Sequence, residues 1–140
     1  MAGSTYTPIA TTTLGSAASS YTFTSIPSTY TDLVLIASVK TGSGDDGISV
    51  RYNSDSGSNY SMTYLLGNGS AASSGRASNA TGAQVGNVNA TDFSPTILNI
   101  QNYSNTTTYK SSVSRTSLAG NYVVAMQAYG AARLQLLASK

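Results

Sequence analysis

Apolar side chains in this chain occur in short runs, each closed by a cluster of Gly, Ser, Asn or Asp. Within a run their spacing is two, the period of a pleated strand. The clearest run is residues 30–40, where Leu33, Leu35 and Ala37 alternate with Val34, Ile36 and Ser38. Because it is apolar on both faces, it predicts a central strand buried between two layers. Ahead of it, Tyr21, Phe23 and Ser25 alternate with Thr22, Thr24 and Ile26. Pro27, which has no N–H to give to a ladder, ends that run and predicts a corner between two strands.

The same reading continues downstream. Residues 41–47 hold three glycines and no core former, and predict a surface loop. A short strand over 48–52, a polar turn over 53–59 and a strand over 60–66 have hairpin spacing. Residues 67–82 are almost all Gly, Ser, Ala and Asn, broken by Arg76, and predict a long loop. A weak strand follows over 84–88, then a strong one over 95–103 carrying Ile97, Leu98 and Ile100. A turn at 105–107 leads into an alternating strand over 108–115, and residues 122–126 form another.

Eight or nine short strands result, with turn signals every eight to twelve residues and no helix pattern before the last dozen residues. The expected fold is all-β: an antiparallel β-sandwich, jelly-roll-like ahead of immunoglobulin-like. One domain spans 1–140, with residues 1–8 as an N-terminal arm and residues 127–140 as an atypical tail. In that tail Arg133, Leu134, Leu136 and Leu137 are helix formers with an apolar side that could pack on a neighbour or simply fray.

Composition narrows the class further. Ser and Thr number 24 and 18, while charged residues make up only 9% of the chain, so the surface carries hydroxyls in place of ions. Few large aliphatic residues mean a thin core, which favours support from neighbouring subunits. With no Cys and no His there is no thiolate metal site, no disulfide framework and no imidazole base. Glu is absent too, so a catalytic centre would need Asp, hydroxyls and Tyr alone. A net charge of +2, with Lys and Arg spread singly, offers no basic stripe for nucleic acid. The first residues lack a signal-peptide pattern and no apolar run reaches membrane length, which predicts a protein made in the cytoplasm without a membrane span.

Several residues could carry chemistry, each with a plainer reading beside it. Asn53, Asp55, Gly57 and Asn59 place oxygen-bearing side chains at alternate positions, like the start of a calcium loop, but no acid closes the cage. A tight polar turn uses the same residues and is favoured. Asp45 and Asp46 are adjacent acids in a glycine-flanked loop with no sign of burial. Asn-X-Ser/Thr triplets begin at Asn59, Asn68, Asn79, Asn89, Asn102 and Asn105, acceptors only in a glycosylating host. Tyr52, Tyr60, Tyr64, Tyr103, Tyr109 and Tyr122 could grip sugar rings or fill a subunit interface. Core or cross-strand packing is the preferred reading of all six.

The segments Thr11-Thr12-Thr13-Leu14-Gly15-Ser16-Ala17-Ala18-Ser19-Ser20-Tyr21-Thr22-Phe23 and Ser25-Ile26-Pro27-Ser28-Thr29-Tyr30-Thr31-Asp32-Leu33-Val34-Leu35 resemble a family of small proteins encoded by marine and cyanobacterial phages. Arg51-Tyr52-Asn53-Ser54-Asp55-Ser56-Gly57-Ser58-Asn59-Tyr60 is similar to that family's Arg-Phe-Asn-Gly-Asp-Ser-Gly-Ser-Asn-Tyr segment. The likeness extends through Gly69-Ser70 to Asn79 and through Ile100, Asn102 and Tyr103, covering roughly residues 6–126. From Gln127 the chain departs from the family's Gly-Leu-Trp-Arg-Ser-Thr-Ala-Ala-Ile-Thr-Ser-Ile continuation. The codons permitted for residues 127–140 can spell that continuation in another frame, which implies a frameshifted end that sequencing the gene decides.

The resemblance implies a non-enzymatic virion structural protein, tail- or fibre-associated or decorating the capsid, without a cofactor. Its expected partners are copies of itself and other phage structural proteins. A host-surface glycan is the alternative partner, in a receptor-binding role, with residues 67–82 and 41–47 as the display face.

Overall fold

A computed structural model of the chain describes residues 6–44, 46–118 and 122–131, the last stretch by its backbone alone. The described residues form eight strands and no helix: β1 Leu33–Val39, β2 Asp46–Val50, β3 Tyr60–Gly67, β4 Ala72–Ala80, β5 Ala83–Val88, β6 Ser94–Gln101, β7 Lys110–Leu118 and β8 Tyr122–Ala131. Six of them build one antiparallel sheet in the order β1-β6-β7-β8-β3-β4, and β2 and β5 pair antiparallel as a second, narrow sheet. β5 lies across β7 and also touches β6, β8 and β3, so the fold is a two-layer all-β sandwich. Its six-and-two division is not the four-and-four of a jelly roll.

Between the layers sit Tyr60, Ala83, Val85, Leu98, Ile100 and Tyr103, with Leu33, Leu35, Ile48, Val50 and Met62 packed against them. β7 breaks the usual rule of apolar residues inward. Its buried positions are Lys110, Ser112, Ser114, Thr116 and Leu118, while Val113 lies on the opposite face. Small hydroxyls let the narrow sheet come close. Thr116 Oγ1 shares a hydrogen bond with Thr96 Oγ1 at 2.9 Å and donates to the Val85 carbonyl at 3.2 Å. Gly86 is required there, because a Cβ would stand 2.0 Å from Thr116 Oγ1 and 2.7 Å from its Cβ. Lys110 is buried because its Nζ donates to the carbonyls of Asn102 and Asn105, fastening the β6–β7 turn. The Ser94 and Ser114 hydroxyls are buried without a hydrogen-bond partner among the described residues.

Five expectations are corrected. Residues 67–82 are not a long loop but hold β4 and the tight turn before it. β4 has no apolar run to announce it, because an edge strand held by main-chain bonds to β3 needs none. Tyr64 lies across Gly75, its register partner, so closely that a Cβ at Gly75 would meet its ring within 3 Å. The turn is made by Asn68, whose Oδ1 accepts from Ser70 N and Ala71 N while Gly69 takes φ 83°.

Residues 48–52 and 60–66 do not form a hairpin: β2 pairs with β5 and β3 with β4 and β8, so residues 51–59 carry the chain from one layer to the other. Asp46 and Gly47, expected in a loop, open β2. β1 is an edge strand, not a central one, and the outer side of its apolar run faces water, with Ile36 75% exposed. Finally, no strand forms over residues 21–26. Ser25 sits at φ 56°, outside the pleated region, and residues 7–26 make no main-chain hydrogen bond among the described residues.

The irregular N-terminal arm therefore runs well past residue 8, up to the corner before β1. At the other end, β8 continues through Ala131, pairing with β7 and β3, so residues 127–131 of the expected tail are strand. Arg133, Leu134, Leu136 and Leu137 lie outside the described residues.

Candidate functional site

The loop 51–59 is built around two tyrosines that face each other at 6.3 Å between ring centroids. Tyr60 is 1% exposed, and its hydroxyl donates to the Asp55 carbonyl at 3.0 Å and accepts from Tyr52 N at 3.1 Å. Tyr52 reaches the opposite layer, donating through its hydroxyl to Ser112 Oγ at 3.1 Å. Asp55 Oδ1 accepts from Gly57 N at 2.8 Å, and the Asn59 amide donates to both carboxylate oxygens at 3.2 and 3.1 Å. Asn59 thus turns its nitrogen, not its oxygen, to the place a cation would occupy, and Asn53 bends the chain at φ 52°. This is an Asx turn anchored by Tyr60. The described residues include no group of three or more His, Cys, Asp or Glu able to hold a metal.

The six tyrosines are not gathered on one surface. Tyr60 and Tyr103 are in the core, Tyr52 is half-buried beside them, and Tyr64 is half-buried over β4. Tyr103 donates through its hydroxyl to the Pro27 carbonyl, tying the corner before β1 to the β6–β7 turn. Tyr109 alone stands out, 69% exposed, and the side chain of Tyr122 lies outside the described residues. Of the paired acids, Asp46 accepts from Gly47 N at 2.7 Å, and Asp45 lies outside the described residues.

The Asn-X-Ser/Thr triplets turn out to be turn chemistry. Asn68, Asn89 and Asn105 each accept main-chain N–H bonds two and three residues ahead. Asn79 and Asn102 take left-handed φ of 57° and 51°. Asn59 holds Asp55.

What the sequence reading missed as a site is the surface made by the arm and β1. Every residue from 6 to 22 is exposed, including Ile9, Leu14 and Tyr21, and Tyr21 meets Phe23 edge-to-face at 5.0 Å. Val34 and Ile36 are exposed on β1, whose outer main-chain edge no strand among the described residues covers. The one available signal was charge: there is no Asp, Glu, Lys or Arg before Asp32.

No family model, curated protein or solved structure matches the chain. Among the described residues no helix is long and apolar enough to cross a membrane.

The tyrosine pair makes stability sensitive to alkali. Burial pushes both phenols above the ordinary 10.0, with the Tyr52 bond to Ser112 and the Tyr60 bond to Tyr52 N pulling the other way. The folded chain therefore keeps protons that the unfolded chain releases. That stabilisation is fully present below about pH 10 and is lost as pH rises through the folded values. Lys110 acts in the opposite sense, because desolvation holds its ammonium below 10.5. Urea unfolding of the parent and of Tyr52→Phe between pH 8 and pH 11 should separate the two: above pH 10 the parent loses stability more steeply. Equal slopes would show that Tyr52 does not contribute.

Proposed function

We propose that the chain is a structural subunit of a bacteriophage particle, acting by assembly and not by catalysis, on the tail or fibre or on the capsid surface. Its partners in this reading are copies of itself and other phage structural proteins. The observation that carries it is the long uncharged arm, exposed from residue 6 to residue 22 with Ile9, Leu14 and Tyr21 open to solvent, and without a main-chain hydrogen bond over residues 7–26 among the described residues. An arm of that kind is stabilised only when another subunit covers it. The sequence resemblance set out above supports the same reading.

Glycan binding in host attachment is the weaker reading. Of the tyrosines that would grip a sugar, Tyr60 and Tyr103 are in the core and hold loops together. Of those six, Tyr109 is the one exposed among the described side chains, and a single ring makes no platform.

Peptide mass spectrometry and cryo-EM of purified particles from cells expressing the gene in its phage context test the proposal. The chain should be present in many copies per particle. Its presence in the infected-cell lysate but absence from purified particles would overturn the proposal.

A further inference from the structure

Two parts of this molecule have main-chain groups without partners, and the fold keeps them apart within one chain. The first is the arm. From residue 7 to residue 26 no main-chain N–H or carbonyl is hydrogen-bonded among the described residues, and the chain there is irregular and mostly exposed. The second is β1, which pairs with β6 on one side and, among the described residues, presents a row of unpaired groups on the other. Natural proteins protect such an edge with charge, proline or a covering segment. Leu33–Val39 has neither charge nor proline, and Val34 and Ile36 add exposed apolar surface beside the open edge.

The arm does not cover this edge in its own chain, and the corner between them shows why. Tyr103 Oη donates to the Pro27 carbonyl, Ser104 Oγ to the Tyr30 carbonyl at 3.2 Å, Tyr103 N to the Thr31 carbonyl at 3.0 Å, and Asn102 N to Asp32 Oδ1 at 2.7 Å. These four bonds pin the corner to the turn that follows β6, the paired side of β1. The chain therefore leaves β1 away from its open edge.

We propose that the open edge of β1 receives the arm of a second copy of this chain, the segment ending at Tyr21-Thr22-Phe23-Thr24 adding as an extra strand. The composition fits this occupant. The arm before Asp32 and the strand Leu33–Val39 are both without charged side chains, so no ion is desolvated when they meet. Thr, Tyr and Phe suit an added strand, main-chain bonds supply affinity, and Tyr21 and Phe23 lie beside Val34 and Ile36. Ser25, at φ 56°, makes the bend between the donated strand and the pinned corner. The inference deepens the assembly reading and rests on it, since it names how copies join.

The test uses the purified full-length chain, which has no cysteine of its own. Tyr21→Cys is placed in one copy and Ser38→Cys in another, both at exposed positions on the face shared with Val34 and Ile36. Under mild oxidation the mixture should give a mixed disulfide dimer in greater yield than either variant gives alone. Sedimentation should show self-association. Deleting residues 1–24 should weaken it by about 100-fold or more, as should Val34→Lys with Ile36→Lys, with the circular dichroism of the core unchanged. The double variant Tyr21→Cys/Ser38→Cys distinguishes the alternative: an intramolecular disulfide in a monomer would mean that the arm closes on its own strand, and would overturn the proposal. So would a full-length chain that stays monomeric at every concentration, or a truncated chain that associates as well as the parent. Neither result depends on finding the protein in a particle, so failure of arm exchange and failure of the virion reading are separately visible.

Discussion

Replacing Tyr60 with alanine is expected to destabilise the domain by about 3–5 kcal/mol, the range for removing a large buried aromatic ring. The ring is almost wholly buried in the cluster shared by both layers. Its hydroxyl reaches across the loop, accepting from Tyr52 N and donating to the Asp55 carbonyl. Tyr60→Phe keeps the ring and removes only these two bonds, so it should cost about 1–3 kcal/mol for the groups left unpaired. Urea unfolding of both variants in conditions where the parent is monomeric measures the difference. For a domain of this size the alanine variant should melt about 10 °C lower or more. An alanine variant within about 1 kcal/mol of the parent would mean that the loop 51–59 can collapse onto the space, and that Tyr60 does not hold the layers together.

Gly86→Ala is the second large effect, and it comes from overpacking. A Cβ at this position would overlap both Oγ1 and Cβ of Thr116, so rotating the threonine cannot relieve the contact. The narrow sheet must move away from β7, lengthening or breaking the bond from Thr116 Oγ1 to the Val85 carbonyl. We expect a loss at or above the upper end of the ~1–3 kcal/mol usual for overpacked cores. Gly82→Ala is the control. There the new Cβ meets its nearest neighbours at 3.5 Å, an ordinary contact, and φ is not left-handed. That variant should be neutral or slightly stabilising, since alanine restricts the unfolded chain. If the two substitutions cost the same, the sandwich is not set by the close approach of β5 to Thr116.

The two layers are held partly by hydroxyl groups. Thr96, Thr116, Ser112 and Lys110 bond across strands, to the second sheet or to loop carbonyls, from positions that a hydropathy pattern assigns to the surface. This is how a chain rich in Ser and Thr closes a sandwich with few large aliphatic residues: a small side chain that bonds directly to the facing layer replaces an interdigitated pair of apolar ones. A thin interior of this kind also leaves apolar surface on β1 and in the arm, where a second subunit can reach it.

The sequence by itself determined the all-β class and the position of most strands, because a side-chain period of two is a local property of the chain. Leu33, Leu35, Leu98 and Ile100 announce β1 and β6 in this way, and the turn at 105–107 announces itself by residue type. Of the proposed site residues, the turn character of Asn53, Asp55 and Asn59 was legible for the same reason. Only the tertiary structure decided which strands pair, since alternation says nothing about the partner: β2 joins β5, and β1 lies at an edge although it is apolar on both faces. It also decided which face of β7 is buried, because a serine can satisfy its hydroxyl on either side of a sheet and Val113 is too small to dictate the choice. β4 and the unpaired arm were illegible for one physical reason: the presence or absence of a main-chain hydrogen bond across a sheet is set by what lies alongside, and side chains do not encode it.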